Sequence, residues 1–232
     1  MLDSNFWKNY FKVYDVLNLL IPYRELLETI CDELEIKLGE KILEAGCGTG
    51  NLALKIKERG AEVVGLDNCK EALDIYHKKD PKAELVLADL AKKLPFPDSY
   101  FNKIASNNTL YAIPKEKQLS VLKELHRILK FGGKIVLSNT KRGWKPGKIY
   151  SRGIKENLKK EGVFSTFLKL IKLIIPTLKI FYYNYQIKKK SQYYFCDFNE
   201  QKGLLEQTGF RKVSETKLVY AEQAILNSAY KL

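Results

Sequence analysis

The chain has 232 residues, 45% of them hydrophobic, which suits one domain with an elaboration and a substantial core. Cys31, Cys47, Cys69 and Cys196 are too widely spaced for a zinc site, no stretch is long and uncharged enough to read as a transmembrane helix, and Met1-Leu2-Asp3-Ser4-Asn5 lacks a secretory pattern, so a reduced, cytoplasmic setting is expected. The net charge of +13 is concentrated, because residues 141–195 hold 14 Lys or Arg against only Glu156 and Glu161.

Residues 5–36 read as helical: Phe6, Tyr10, Val13, Leu17 and Leu20 recur at three- and four-residue steps, Pro22 interrupts, and Leu26, Leu27, Ile30 and Leu34 resume the period. A buried strand follows at 41–45, then Gly46, Gly48 and Gly50, then a helix over 50–59. Glycines at such a turn remove the Cβ atoms that would hold a ligand away, and free N–H groups at the helix start favour an anionic group. A small ligand bearing a carboxylate or phosphate is expected there. The dinucleotide fingerprint places glycine first, third and sixth, yet the sixth position counted from Gly46 is Asn51, which weakens that reading.

Further strands are expected at 62–66, 84–87, 102–106 and 133–139, with helices at 70–77 and 115–130. The tail gives a helix at 199–208 and strands at 212–219 and 224–230. Alternating strands and helices imply a parallel sheet with right-handed crossovers and helices on both faces. Ligands then sit at the carboxyl ends of the strands, where Glu44, Asp67, Asp89 and Ser106-Asn107-Asn108 fall.

Four ordered segments carry a family resemblance. They are Glu44-x-Gly46-x-Gly48-x-Gly50, Val63-Val64-Gly65-Leu66-Asp67, Ala88-Asp89-Leu90 with Leu94 to Phe101, and Leu125 to Gly133. Together they resemble the class I S-adenosylmethionine (SAM) dependent methyltransferases over roughly residues 41–140. The resemblance implies an α/β, Rossmann-like, seven-stranded and mostly parallel sheet, an antiparallel closing hairpin, and SAM as cofactor with no metal. It assigns Gly46, Cys47, Gly48, Thr49 and Gly50 to the methionine part, Glu44 to its ammonium, Asp67 with Asn68 to the ribose, and Asp89 with Leu90 to the adenine. Asn107 at the end of the fourth strand joins the cofactor side. For Glu44, Asp67 and Asp89 the alternative is an acid that only caps a strand end.

Helices 5–36 would cover the cofactor pocket, and Val13-Tyr14-Asp15-x-Leu17-Asn18 is similar to a Tyr-Asp-x-x-Asn segment of quinone-biosynthesis and phospholipid methyltransferases. Tyr14 would lie near the methyl end, or serve only as a packing aromatic. Asn107 and Tyr111 are candidates to orient a substrate; capping and packing are the alternatives. Methyl transfer from a sulfonium needs alignment and water exclusion more than a base. His77 and His126 do not look like bases, so any base is expected from the N-terminal helix or from 141–195.

The 141–195 segment reads as a helical insertion. Ser165, Lys169, Lys172, Pro176 and Lys179 form one narrow stripe, nearly everything else from Val163 to Phe181 is apolar, and Pro176 is expected to kink or split the helix. Such a helix either lies on an anionic membrane surface through Lys169, Lys172 and Lys179, or packs as a lid with its lysines solvated. The acceptor expected from it is small, lipophilic or amphiphilic, as in phospholipid or quinone relatives. The alternative is an RNA methyltransferase whose basic segment holds phosphates and stacks bases.

Overall fold

The computed structural model describes residues 4–190 and 193–232. Helix α1 (Ser4–Tyr14) runs through a short 3-10 turn, Asp15–Leu19, into α2 (Ile21–Leu34). Leu20 is extended between them (φ −96°, ψ 126°), and Pro22 occupies the first turn of α2. There its missing N–H is harmless, so the proline starts a helix where the sequence pattern suggested an interruption.

The sheet contains β1 (Lys41–Ala45), β2 (Glu62–Asp67), β3 (Glu84–Leu87), β4 (Phe101–Asn107), β5 (Leu129–Thr140), β6 (Lys217–Val219) and β7 (Ala224–Tyr230). Their spatial order is β3-β2-β1-β4-β5-β7-β6. β7 runs antiparallel to both β5 and β6 while β1 to β5 pair parallel. Crossover helices α3 (Asn51–Glu58), α4 (Lys70–Lys79), α5 (Lys115–Ile128) and α7 (Glu200–Gln207) cover the sheet. Strand residues alternate between faces. Ile42, Ala105, Val136 and Leu226 enter one core with α2 and α3, whereas Leu43, Ile104, Ile135 and Leu137 enter another with α5 and α7.

The first closing strand is shorter than the expected 212–219. Lys212 has a left-handed φ of 48°, and the Ser214 hydroxyl accepts the Ser228 N–H (2.9 Å) where a ladder carbonyl would otherwise stand. Between β6 and β7, Tyr220, Ala221 and Glu222 all have positive φ.

The insertion forms helix α6 (Pro146–Lys189), and its break lies at Gly162 (φ 82°, ψ 170°). Backbone angles around Pro176 stay helical, so the helix is split at Gly162 and not at the proline. Glycine alone tolerates the Gly162 conformation readily. The first section is clamped to α2: Asn157 Oδ1 accepts the Ile21 N–H (3.2 Å) and Asn157 Nδ2 donates to the Leu19 carbonyl (2.8 Å). Arg24 pairs with Glu161 and Lys160 with Glu25 beside it. Asn157 is buried, so removing its amide orphans two backbone groups away from water. Asn157→Ala is expected to lower the unfolding free energy by about 1–3 kcal/mol, read by urea denaturation.

Candidate active site

The loop after β1 is shaped by what its glycines lack. Gly46, Gly48 and Gly50 all have positive φ. A Cβ on Gly46 would lie 2.2 Å from Thr109 Oγ1, one on Gly48 2.9 Å from the Phe11 ring, and one on Gly50 2.3 Å from the Tyr76 ring. Gly46 and Cys47 donate their N–H groups to the Leu66 carbonyl, which ties the loop to the end of β2.

Asp67 completes that tie. Its Oδ2 accepts the Gly48 N–H (2.8 Å) and its Oδ1 the Cys69 N–H (2.9 Å). Burial raises the Asp67 carboxyl above its ordinary pKa, partly offset by these backbone donors. Glu44 is buried more deeply and raised well above the usual range, first by burial and also by the neighbouring Asp67 charge, against a backbone N–H from Ala53. Its Oε2 has no protein partner. A buried carboxylate oxygen of this kind is costly unless a donor or a cation meets it.

A second acid locks the cap to the loop. Asp15 Oδ1 accepts from Thr49 Oγ1 (2.6 Å) and Asn51 Nδ2 (3.0 Å), and Asp15 Oδ2 pairs with Lys79 Nζ (2.6 Å). Lys79 also donates to the Thr49 carbonyl (2.8 Å). Asp15 appeared in the sequence only as part of a motif beside Tyr14; its partner Lys79 lies at the end of α4, with no sequence signal connecting them.

These parts border one crevice enclosing ≈1420 Å³, open solvent at its mouth included. Glu44, Gly46, Cys47, Gly48, Thr49, Asp67, Asn68, Asp89, Leu90 and Asn107 all line it, as do Tyr14 and Tyr111. Gly50 does not; it starts α3 against Tyr76. Asp89 accepts the Ala91 N–H (2.9 Å), so it caps its own turn while bordering the crevice. Asn107 Oδ1 is buried without a protein partner.

The other half of the crevice is aromatic. Tyr10, Tyr14, Tyr23, Tyr111 and Tyr220 line it, and burial, the leading cause in each, raises their hydroxyls above the ordinary tyrosine pKa. Trp144, Ile149, Tyr150, Ile180 and Asn184 from the insertion close this side. The indole N–H of Trp144 is buried without a protein partner. Sequence reasoning missed Phe11, Trp144, Tyr150, Asn184 and Tyr220, since no motif marks them; aromatic content within 141–195 was the available hint. Among the described lining residues the carboxylates are Glu44, Asp67 and Asp89, all at strand ends, and the N-terminal helix and insertion contribute no His, Lys, Asp or Glu. The ionisable side chains those two segments bring to the described wall are tyrosines, among them Tyr10, Tyr14 and Tyr150.

Comparison with known proteins gives a consistent picture. A family profile described as a methyltransferase domain matches residues 42–133. A demethylmenaquinone methyltransferase of Lysinibacillus sphaericus is 30% identical over 213 residues, 87% of this chain and 84% of that protein. One of Staphylococcus haemolyticus is 30% identical over 221 residues, 89% of this chain and 84% of its own length. Among solved structures, a SAM-dependent methyltransferase from Thermotoga maritima superposes with a TM-score of 0.66 at 17% identity, over 99% of this chain and 100% of the other, a likeness of fold.

The buried acids make a pH prediction for the ligand-free chain. Glu44 has a folded pKa above its ordinary 4.5, so it opposes folding above that range and has no effect below it. Stability from this group thus falls as pH rises from about 4.5 toward neutrality. Glu44→Gln is expected to raise the thermal midpoint at pH 7.5 and leave it nearly unchanged at pH 4.5, measured by scanning calorimetry.

Proposed function

Since the chain belongs to the class I SAM-dependent methyltransferases, we propose that it transfers the SAM methyl group to a lipophilic aromatic acceptor of the quinone type. The observation that carries this reading is the division of the crevice: acids and glycine backbone on one side, buried aromatic walls on the other. The relatives' names, demethylmenaquinone methyltransferases, support the same acceptor class.

The residues present fit the cofactor. Glu44 Oε2, buried and unpartnered, suits an ammonium group, and Gly46 and Gly48 border the crevice beside it. We assign Gly46 to Thr49 and Glu44 to the methionine end, Asp67 with Asn68 to the ribose hydroxyls, Asp89 with Leu90 to the adenine, and Asn107 Oδ1 to the cationic middle. SAM bound there supplies an electrophilic methyl group on a sulfonium.

On the acceptor side the chain's own residues position and dry the reactants. Tyr14, Tyr111, Trp144, Tyr150 and Ile180 exclude water and hold a flat ring. Tyrosine hydroxyls whose pKa is raised remain protonated at neutral pH, so they donate to acceptor oxygens and do not act as bases. Among the described residues no His or Lys lines the crevice, and its carboxylates Glu44, Asp67 and Asp89 are assigned to the cofactor, so the acceptor proposed is one that brings its own nucleophilic electron pair. The aromatic side chains would hold the atom that carries this pair in line with the methyl group the cofactor supplies, and the acceptor would lose one proton to solvent for each methyl group gained. Alignment supplies the rate, as expected for an in-line displacement with a good leaving group. The reading puts the enzyme in the cytoplasm, working at the inner face of a membrane where such acceptors reside.

An RNA substrate is less well supported. The surface between the lysines of α6 exposes Phe164, Ile171, Ile175 and Leu178, which suits lipid better than a phosphate-tracking groove.

Incubation under anaerobic, reducing conditions with SAM and detergent-solubilised demethylmenaquinol, the reduced and therefore nucleophilic form of the ring, is expected to give equal amounts of S-adenosylhomocysteine and methylated quinol by mass spectrometry; no product at saturating SAM would remove the acceptor assignment. Asp67→Ala is expected to weaken SAM binding at least about 100-fold by titration calorimetry, because a buried charged hydrogen-bonding group is lost. Near-normal affinity would remove the ribose assignment.

A further inference from the structure

Beyond Gly162, α6 has two apolar faces. The inner one, with Leu173, Ile180 and Ile187 buried, packs on the molecule and roofs the crevice through Ile180 and Asn184. The outer one is uncovered. Phe164, Phe167, Ile171, Ile175, Leu178 and Tyr182 recur at three- and four-residue steps, which sets them on one side of the helix over about 30 Å at 1.5 Å per residue. Phe164 is 76%, Ile175 66% and Leu178 67% exposed. Single exposed apolar residues are ordinary on a soluble surface; a continuous stripe of this length is a contact site.

The charge around the stripe identifies its partner. Lys172 and Lys179 stand exposed along it, with Lys155, Lys159, Lys189 and Lys190 exposed at its ends. The acids of the insertion are already engaged: Glu156 with Arg152, and Glu161 with Arg24 and Lys169. Lys169, expected in the basic edge, therefore turns inward and does not contribute. Lys188 is likewise spent, donating to the Trp144 carbonyl (2.6 Å) over its indole ring. What remains outside is an apolar strip bordered by cations alone. A second copy of the same face would oppose lysine to lysine, whereas an anionic lipid surface satisfies both the strip and its border. Among the described residues no helix is long and apolar enough to cross a membrane.

We propose that the outer face of α6 from Phe164 to Tyr185 is a docking surface for an anionic lipid bilayer, in which the helix lies parallel to the membrane plane with its apolar side chains below the headgroups. The purpose of docking rests on the lipophilic-acceptor reading; the docking itself does not. Because the inner face of the same helix closes the acceptor side of the crevice, lipid contact is made by the element that a membrane-borne acceptor must pass.

The test is co-sedimentation of the full chain with phosphatidylglycerol/phosphatidylcholine vesicles and with pure phosphatidylcholine vesicles at about 0.1 M salt. The wild type is expected to pellet with the anionic vesicles only. The triple change Ile174→Glu, Ile175→Glu, Leu178→Glu is expected to lower the partition coefficient at least about tenfold, and Lys172→Glu with Lys179→Glu to do the same. All five side chains are exposed, so SAM affinity by calorimetry should be unchanged and reports intact folding. Failure of the wild type to pellet, pelleting that both variants retain, or pelleting that RNA competes away would overturn the proposal. So would concentration-dependent self-association abolished by the apolar variant in the absence of vesicle binding. Turnover of acceptor in detergent is scored separately, so loss of vesicle binding and failure of the acceptor assignment give different results.

Discussion

Asp67 holds the site together before any ligand arrives. Its two carboxylate oxygens accept N–H groups from the loop after β1 and from the turn after β2, so two strand ends are brought to one point. A carboxylate can do this only because the loop bends through left-handed glycines and presents its N–H groups inward. Phe11, Thr109 and Tyr76 occupy the space that side chains would have taken. The cap, the fourth strand and α4 are thereby packed against the same few backbone atoms. Asp15 and Lys79 fasten the outside of that arrangement. These contacts within the chain set the shape of the loop without a ligand.

The α/β order and the crevice were legible because their signals are local. Apolar runs of strand length alternating with helical periods fix a parallel sheet, and acids directly after strands must lie at its carboxyl edge. Strand β1 falls where the pattern puts it, and Glu44, Asp67, Asp89 and Asn107 share one crevice. What was not legible depended on partners distant in sequence. Helical periodicity in α6 identifies a wide apolar face and a lysine stripe, but not which side is turned inward. Lys169 is drawn in by Glu161, eight residues earlier, across a glycine break that lets the helix restart. Pro176 carried the stronger sequence signal, yet the backbone leaves helical angles at Gly162, in a conformation that glycine adopts readily and other residues do not. Lys212 shortened β6 through a backbone conformation that an extended, alternating pattern does not reveal.

The aromatic half of the crevice follows a different logic from the acidic half. The acidic half is built from backbone and short acids at strand ends, while the aromatic wall comes from large side chains on helices and from Tyr220, in a turn of three successive positive-φ residues. Burial keeps the tyrosine hydroxyls neutral, and burial also makes Glu44 costly. One environment thus suppresses acid–base chemistry on one side and favours a cation on the other.

Gly162 has a consequence beyond the shape of α6. A Cβ there would meet nothing within 4 Å, and the residue lies between a section clamped by Asn157 and a section that roofs the crevice. The roof is thus a contiguous cassette, bounded by a glycine joint before it and the α7 connection after it. It gives Ile180 and Asn184 to the aromatic wall, while the acidic half of the crevice is built from other elements. Under the roles proposed above, such a cassette can be lengthened, exchanged or re-aimed without touching the side that would hold the cofactor, so the range of acceptors can change without rebuilding the sheet.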